Sequence, residues 1–316
     1  MEANTTILNT PGQVVQHTYL VAALKLLERY GAMRRHTIGY GLFPGRPLSA
    51  ARAAIERVLC NAKKQGFVRE QDWMNSQRYY ALSTKGARFL NTLDEDWNAS
   101  SNVATLRLHN KEHREWSQLI AMASEHRGWQ GISEPELKGG LYNDITNYFG
   151  HMPDALTLVK DKAKAGGLAI WHEVELSRRS TTRKETSPKM MCGVEKLAHL
   201  VQVMRDKHHL IYKKEEYMVA LMLHCATDKI EREVRGVIEQ SCAMNVLCKT
   251  GQGYEVGFKR PGGESLQILV NRLAATHEEG WDKMPWSWAG GSPRGVIDIF
   301  TEKRLPADAG GSSSDT

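Results

Sequence analysis

Hydrophobic residues recur at helical spacing through much of the N-terminal third of the chain. The run QVVQHTYLVAALKLLERY, residues 13–30, predicts a first helix. A second helix is predicted over Ser49–Lys64, with Ser49 as its N-cap and Gly66 just past its end. The segment between them, residues 34–47, holds three glycines and two prolines and therefore predicts a loop.

After the second helix the pattern changes to alternation. Two strand-like runs flank Asn75-Ser76 and predict a β-hairpin, and residues 84–93 predict a further helix. Between Gly31 and Leu93 there are eleven Lys and Arg residues against three Asp and Glu residues, a surplus of eight positive charges (11 − 3). Because the formal net charge of the whole chain is +6, its basic character is concentrated in this region.

Two helices followed by a hairpin, all with net positive charge, are the order of a winged helix-turn-helix domain, assigned here to residues 14–93. The helix Ser49–Lys64 would enter the major groove of duplex DNA, and the hairpin would be the wing. Two alternatives stay open, a merely solvated basic surface and a winged helix that binds protein. The candidate DNA contacts are Arg34, Arg35, Ser49, Arg52, Lys63, Lys64, Arg69 and Arg78.

The rest of the chain predicts a mixed α/β (α+β) sheet with helices on its faces. An acidic, then small and polar stretch, residues 94–103, is interpreted as a linker, and residues 104–260 as one domain. We expect a flexible leader over residues 1–13, an extension over residues 261–304 and a disordered tail over residues 305–316. The predicted helices are 105–127, 189–205, 228–244 and 264–276, and the predicted strands lie at 129–134, from 154, from 167, at 215–225 and within 245–259.

Candidate chemistry is concentrated in the two strands that flank the turn at Gly166-Gly167. Alternation places Glu173 and Glu175 on one face of the second strand and His172 on the other, where a packed core histidine is expected. Two carboxylates on an apolar strand repel each other and are costly to desolvate. A divalent cation held by Asp154, Glu173 and Glu175 would relieve both costs, so the pattern predicts a Mg²⁺ or Mn²⁺ site.

Pro153-Asp154, with Glu173 nineteen positions after the aspartate, resembles the signature of the PD-(D/E)xK nuclease superfamily. The resemblance implies a restriction-endonuclease-like fold in which Asp154 and Glu173 bind the metal ion. It also implies that the third position, usually Lys and here Glu175, completes the metal shell or acts as a base. Lys196 or Lys189 on the following helix could supply the missing positive charge. An upstream acid could come from Glu112, Glu115 or Glu134, and Arg178 and Arg179 could contact phosphates.

The wider layout resembles the replication-relaxation family of bacterial plasmid and mobile-element proteins. The resemblance covers roughly residues 14–225 and rests on an N-terminal winged helix followed by PDALTLV and WHEVELSRRS. It implies a DNA-associated role in replication or conjugative transfer, with a nicking or cleaving activity if the site is active. The alternative is a non-enzymatic DNA-binding accessory or regulatory factor with an inactive nuclease fold. Further partners to consider are a second copy of the chain and other replication or transfer proteins.

Four other features bear on function. His109, Glu112 and His113 match the H-x-x-E-H pattern of a zinc peptidase, a remote alternative. The five cysteines are odd in number and lack C-x-x-C spacing, which favours reduced thiols. Because no signal sequence and no long apolar run is present, we expect a protein of the bacterial cytoplasm without a membrane partner. Base stacking by Trp281, Trp286 and Trp288 is considered and not predicted.

Overall fold

The computed structural model of the 316-residue chain describes residues 11–43, 46–73, 77–94, 97–107, 110–139, 142, 145, 150–160, 166–176, 193–206, 209–242, 246–249, 253–257 and 265–273. Several sequence predictions concern residues outside these ranges. They are most of the leader, the hairpin tip at Asn75-Ser76, His109, Arg178, Arg179, Lys189, the three late tryptophans and the tail.

The N-terminal unit contains four helices and a small sheet with strand order β1-β3-β2, in which both pairings are antiparallel. The structure confirms the two helices predicted on either side of residues 34–47. It also confirms the β-hairpin and the helix predicted over residues 84–93. The elements are α1 (Pro11–Tyr30), β1 (Met33–Arg34), α2 (Arg35–Leu42), α3 (Leu48–Lys64), β2 (Val68–Trp73), β3 (Gln77–Leu82) and α4 (Thr84–Leu93).

Helix α2 lies where the sequence predicts a loop. Its glycines lower helix propensity by about 1 kcal/mol each relative to alanine, but all residues of the helix after Arg35 are buried. A Cβ atom on Gly41 would lie 2.8 Å from Leu26 and 2.9 Å from Met122, so the glycine permits close packing against α1 and the helix that carries Met122. Tertiary packing therefore outweighs local propensity here.

The ends of α3 agree with prediction at one side only. The helix begins at Leu48 after Pro47, and no side chain caps it, so the predicted N-cap Ser49 lies inside the first turn. At the other end Gly66 has a φ of +73° and its amide donates to the carbonyl oxygen of Lys63. This left-handed glycine ends the helix as predicted.

The second unit is a mixed α/β structure built on an eight-stranded sheet. The order is β4-β5-β6-β8-β11-β10-β9, with β7 antiparallel to the first part of β8. The pairs β6–β8 and β8–β11 are parallel, and the others are antiparallel. The elements are a 3₁₀ turn (Val103–Arg107), α5 (Lys111–His126), β4 (Gln130–Ser133), α6 (Glu134–Lys138), β5 (Ala155–Lys160), β6 (Gly167–Glu175), α7 (Gly193–Asp206), β7 (His209–Tyr212), β8 (Glu215–Cys225), α8 (Asp228–Cys242), β9 (Val246–Lys249), β10 (Gly253–Gly257) and β11 (Ser265–Arg272).

The prediction of a helix over residues 264–276 is wrong. Residues 265–272 form β11, which pairs with β8 on one side and β10 on the other. Leu266, Ile268 and Val270 are buried while Gln267 is exposed, which is the period-two burial of a strand. The sheet thus continues past residue 260, the predicted end of the domain. The short elements β1, β7 and α6 were also not predicted.

The two faces of the sheet have different neighbours. One face carries Trp171, Leu221 and Ile268 and packs with apolar residues of α7 and α8. The opposite face carries Ile170 and Val174, which belong to a single core cluster with residues of α1, α3 and α5. The N-terminal unit and the sheet therefore share one hydrophobic core, with α5 between them.

The predicted linker is bonded to the N-terminal unit where the structure describes it. The side chain of Asn102 accepts a hydrogen bond from the amide of Leu82, at 2.8 Å, and donates to the carbonyl oxygen of Leu27. Asn91 forms two further hydrogen bonds with the backbone of Ala99. Residues 99 and 102 of this segment are thus held against the N-terminal unit.

A buried arginine adds a polar connection between the units. Arg29 of α1 pairs with Glu125 of α5 and Glu136 of α6, both at 2.8 Å, and its side chain is only 8% exposed. Its guanidinium also donates to the carbonyl oxygen of Gly131. Such a pair is costly to break, because removing one partner leaves an uncompensated buried charge. None of the helices in the described part of the chain has the length and apolar character needed to cross a membrane.

Candidate metal and DNA-contact sites

The antiparallel pairing of β5 and β6 brings the two predicted metal ligands together. Ala155 pairs with His172, so Asp154 comes opposite Glu173. The amide of Asp154 donates to the carbonyl oxygen of His172 at 3.0 Å, and its Oδ2 accepts from the amide of Val174 at 2.7 Å. The backbone of β6 thus fixes the aspartate carboxylate near the carboxyl end of the strand, where α/β sheets commonly bind ligands.

Glu173 is a buried carboxylate in an unfavourable electrostatic position. It is 5% exposed, and the indole nitrogen of Trp171 donates to its Oε1 at 2.8 Å. Burial raises the pKa of Glu173 above its ordinary value, and the negative charge of Asp154 acts in the same direction. Lys196 opposes this shift. A carboxyl group held this way gains from any additional positive charge beside it.

Lys196 supplies one such charge from α7. Its Nζ lies 3.6 Å from Oε2 of Glu173, while its side chain is 46% exposed. The negative charge of Glu173 raises the pKa of Lys196, against the effect of burial, and Asp154 and Glu175 contribute to the increase. The structure therefore brings together all four predicted catalytic residues, with Glu175 half-buried two positions after Glu173 on the same strand.

His113 of α5 is a member of this cluster that the sequence did not assign to it. Its Nε2 lies 3.1 Å from Oδ2 of Asp154. Burial lowers the pKa of His113, but the hydrogen bond and charge of Asp154 outweigh this and the pKa is raised overall. Helical spacing had placed His113 only in the zinc-peptidase pattern, and no local signal connects it to an aspartate on a strand.

The three candidate upstream acids have different surroundings. Glu112 is exposed. Glu134 lies near His113, whose pKa its charge helps to raise, and pairs with Lys138. Glu115 is 1% exposed and faces the N-terminal unit instead of the carboxylate cluster. Of the three, Glu134 is the one that the fold places beside the cluster.

Arg34, one of the candidate DNA contacts, forms an ion pair with Glu115. The Nε atom of Arg34 donates to Glu115 at 2.7 Å, and the arginine side chain is only 12% exposed. Nε2 of His36 lies 2.9 Å from the same carboxylate, and Thr37 and Tyr79 also donate to it. The prediction for Arg34 is corrected on this ground, because its charge is compensated inside the protein.

The other predicted DNA contacts in the described residues are more accessible. Arg35 pairs with Glu56, Lys63 with Glu70, and Arg78 with Asp72 at 3.1 Å, all at the surface. Arg52 is half-buried, whereas Ser49, Lys64 and Arg69 are exposed. Arg57, which the sequence analysis did not select, is exposed on α3 as well.

The expectation that His172 packs in the core is confirmed. The imidazole is 2% exposed, with Nε2 2.9 Å from Thr157 Oγ1 and Nδ1 3.0 Å from Nε2 of His224. Burial lowers its pKa well below the ordinary value, and His224 adds to the decrease. His172 is therefore a neutral structural residue beneath the carboxylates.

The donor set suits a hard cation that keeps part of its water shell. Mg²⁺ is commonly held by one or two carboxylates, and Asp154 with Glu173 provides two oxygen-donor side chains whose mutual repulsion a cation would relieve. Among the residues that the structure describes, no group of three or more His, Cys, Asp and Glu side chains is arranged to hold a metal ion.

Comparison with known proteins adds no assignment. No family model matches the sequence, and neither a curated protein nor a solved structure is significantly similar to the chain. The function of the chain is therefore inferred from the geometry of the site.

Proposed function

We propose that the chain is a DNA-binding protein that cleaves or nicks DNA at a Mg²⁺- or Mn²⁺-dependent site formed by Asp154 and Glu173. The observation that carries the proposal is the buried position of Glu173 opposite Asp154, with Lys196 3.6 Å away. Burying two acidic groups side by side is costly, and it is common where pKa values are tuned for function. The role in plasmid or mobile-element replication or transfer follows from the family resemblance and belongs to the same proposal.

The arrangement of the sheet supports a nuclease-like assignment. Apart from the short elements α6 and β7, helix α5 is followed by the antiparallel strands β4, β5 and β6, then by α7 and by β8, which is parallel to β6. This is the helix, three strands, helix and strand order that the resemblance to PD-(D/E)xK nucleases implies. The two carboxylates come from β6 and from the residue before β5, as that resemblance also implies.

Each residue of the site would have its own role in phosphodiester hydrolysis. A bound Mg²⁺ or Mn²⁺ would neutralise charge on the phosphate and lower the pKa of a bound water. The amide of Val174 and His113 hold the Asp154 carboxylate in place, and Trp171 orients Glu173. Lys196 would bring the positive charge of its protonated amine to the phosphate or to the attacking water.

The N-terminal unit supports the DNA-binding part of the proposal. Its order α1, β1, α2, α3, β2, β3 and its β1-β3-β2 sheet are those expected of a winged helix. Lys64 and Arg69 are exposed on α3 and on the hairpin. With the surplus of eight positive charges in this region, phosphate contacts are the expected mode of binding.

Incubation of supercoiled plasmid with the full-length chain and Mg²⁺ or Mn²⁺ tests the proposal. We expect nicked or linear product from the wild type and none from Glu173→Gln, which keeps an acceptor for Trp171 but removes the negative charge. Glu216→Gln is the matched control, because Glu216 is exposed on β8. If the wild type is correctly folded and the plasmid stays intact, the proposed enzymatic activity is contradicted.

A second candidate is a DNA-binding accessory factor without catalysis. It is favoured by the partners that the carboxylates already have within the protein. Glu173 accepts from Trp171 and pairs with Lys196, and Asp154 accepts from His113 and the amide of Val174. In this case the plasmid is shifted on the gel but remains uncut, with and without metal.

A further inference from the structure

A groove with a volume of about 880 Å³ lies in the N-terminal unit between α1 and α3. It is distant in sequence from the carboxylate cluster, and the proposed cleavage mechanism does not use it. Lys64 on its rim is also one of the proposed phosphate contacts, so a ligand in the groove and duplex DNA would compete for α3. Of the ten described residues that line the groove, three are basic and none is acidic.

The floor of the groove is apolar. Phe43 and Val58 are 3% and 8% exposed, and the ring of Tyr19 packs against that of Phe43 with 4.9 Å between centroids. Ala54 is half-buried on the same side of α3. A ligand that covers this floor must itself present an apolar face, because burial of apolar surface supplies the driving force.

The rim of the groove is cationic. Arg57 and Lys64 line it, and the guanidinium of Arg46 lies 4.6 Å from the centroid of the Phe43 ring. Arg57 and Lys64 are seven residues apart on α3, two helical turns or about 10 Å along the axis. Neither makes an ion pair with another described residue, whereas Lys63, about 100° around the same helix from Lys64, pairs with Glu70. The charge on this side of α3 is available to a partner.

We propose that this groove binds an acidic amphipathic helix of a partner protein. Apolar side chains at positions i, i+4 and i+7 of that helix would cover Tyr19, Phe43 and Val58. Aspartate or glutamate side chains two turns apart would pair with Arg57 and Lys64. Duplex DNA has no apolar face for this floor. A second copy of the chain is disfavoured because the N-terminal unit of each copy is strongly basic.

The experiment selects displayed random peptides of about 16 residues, long enough to span the groove, on the immobilised full-length chain. We expect enrichment of sequences with an apolar helical stripe flanked by acids. For a synthetic selected peptide, anisotropy should show that Arg57→Gln and Lys64→Gln each weaken binding about fivefold or more. Lys63→Gln is the matched control on the same helix and should change affinity less than about twofold. Ala54→Glu, at the edge of the floor, should weaken binding by about tenfold.

Cys60 locates the bound peptide without any substitution. It is exposed and lines the groove, so saturating peptide should slow its alkylation by iodoacetamide, as followed by mass spectrometry. Selection without an acidic amphipathic pattern, or binding unchanged in Arg57→Gln and Ala54→Glu, would overturn the proposal. Protection of Cys60 by duplex DNA or by self-association, but not by peptide, would overturn it as well. None of these outcomes depends on plasmid cleavage.

Discussion

The amine of Lys196 lies 3.6 Å from the carboxylate of Glu173, and it comes from helix α7 rather than from the strand that carries the glutamate. Under the proposed nuclease assignment, the strand position that usually holds a lysine is Glu175 in this chain. The fold thus brings a lysine to the carboxylates by another path, and the pKa of Lys196 is raised by the charge of Glu173.

This relationship predicts a rescue. Replacing Lys196 with alanine should lower the rate of plasmid nicking by about 100-fold, the lower range for loss of a positioned acid–base or electrostatic group. Adding Glu175→Lys to this variant should raise its nicking rate at least about tenfold, because the new amine approaches Glu173 from the strand. Single-turnover nicking rates check this. A double variant no faster than Lys196→Ala would show that Lys196 does not act through its charge.

Arg29 is expected to be a major stabilising residue of the contact between the two units. Arg29→Met should lower the free energy of unfolding by about 3 kcal/mol, because Glu125 and Glu136 lose a buried partner. Urea unfolding measures the change. Arg88→Met, at an exposed position of α4, should stay within about 0.5 kcal/mol of the wild type. A similarly small loss for Arg29→Met would contradict the structural role assigned to it.

His126 predicts a dependence of stability on pH. Its ring packs against Tyr40, and burial lowers its pKa to about 4. Between pH 6.5 and 4 the unfolded chain binds a proton that the folded chain does not, so the free energy of unfolding falls as pH decreases through this window. The contribution of His126 is on the order of 2–3 kcal/mol at pH 4 and is absent above pH 7.

Urea unfolding of the wild type and His126→Gln at pH 7 and pH 5 tests this contribution. His224 and His172 also have lowered pKa values, so the variant should keep part of the dependence. We expect the loss of stability between the two pH values to be smaller in His126→Gln by about 1–2 kcal/mol. Equal losses in the two proteins would show that His126 is protonated in the folded state.

Arg69 tests the winged-helix proposal. It is exposed on β2 and makes no ion pair with another described residue, unlike Arg78, which pairs with Asp72. If Arg69 contacts a phosphate, Arg69→Ala should weaken binding to a duplex and reduce the slope of log K against log salt by about 1. Arg232→Ala on α8 should change neither. Unaltered salt dependence in Arg69→Ala would place the hairpin away from the DNA.

Much of the site could be predicted because it is local in the sequence. Alternation in β6 places Glu173 and Glu175 on one face, and the turn at Gly166 returns the chain so that Asp154 meets Glu173. The proximity of Lys196 also follows from the order of strand and helix. Strand periodicity was less useful in β11, where a run of apolar residues such as Leu266–Val270 can be assigned to either a helix or a strand.

The features that sequence reasoning missed all depend on distant partners. Arg29 pairs with acids 96 and 107 residues away, so nothing beside it in the chain marks it as buried. The sequence predicts Arg34 to be a surface cation, because its partner Glu115 lies 81 residues later in the chain, on α5. Helix α2 forms because neighbours cover it, although Gly39 and Gly41 oppose it locally.

The affinity of the carboxylate pair for a divalent cation is the most direct test of the account. Thermal unfolding of the full-length chain is measured with and without millimolar Mn²⁺, beside Asp154→Asn, Glu173→Gln and the control Glu216→Gln. Metal at about 100 times its dissociation constant adds about 2.7 kcal/mol, so the wild type and the control should gain several degrees in Tm. The two site variants should not. A wild type that Mn²⁺ does not stabilise, or a gain that survives in both variants, would contradict the metal site and with it the proposed cleavage.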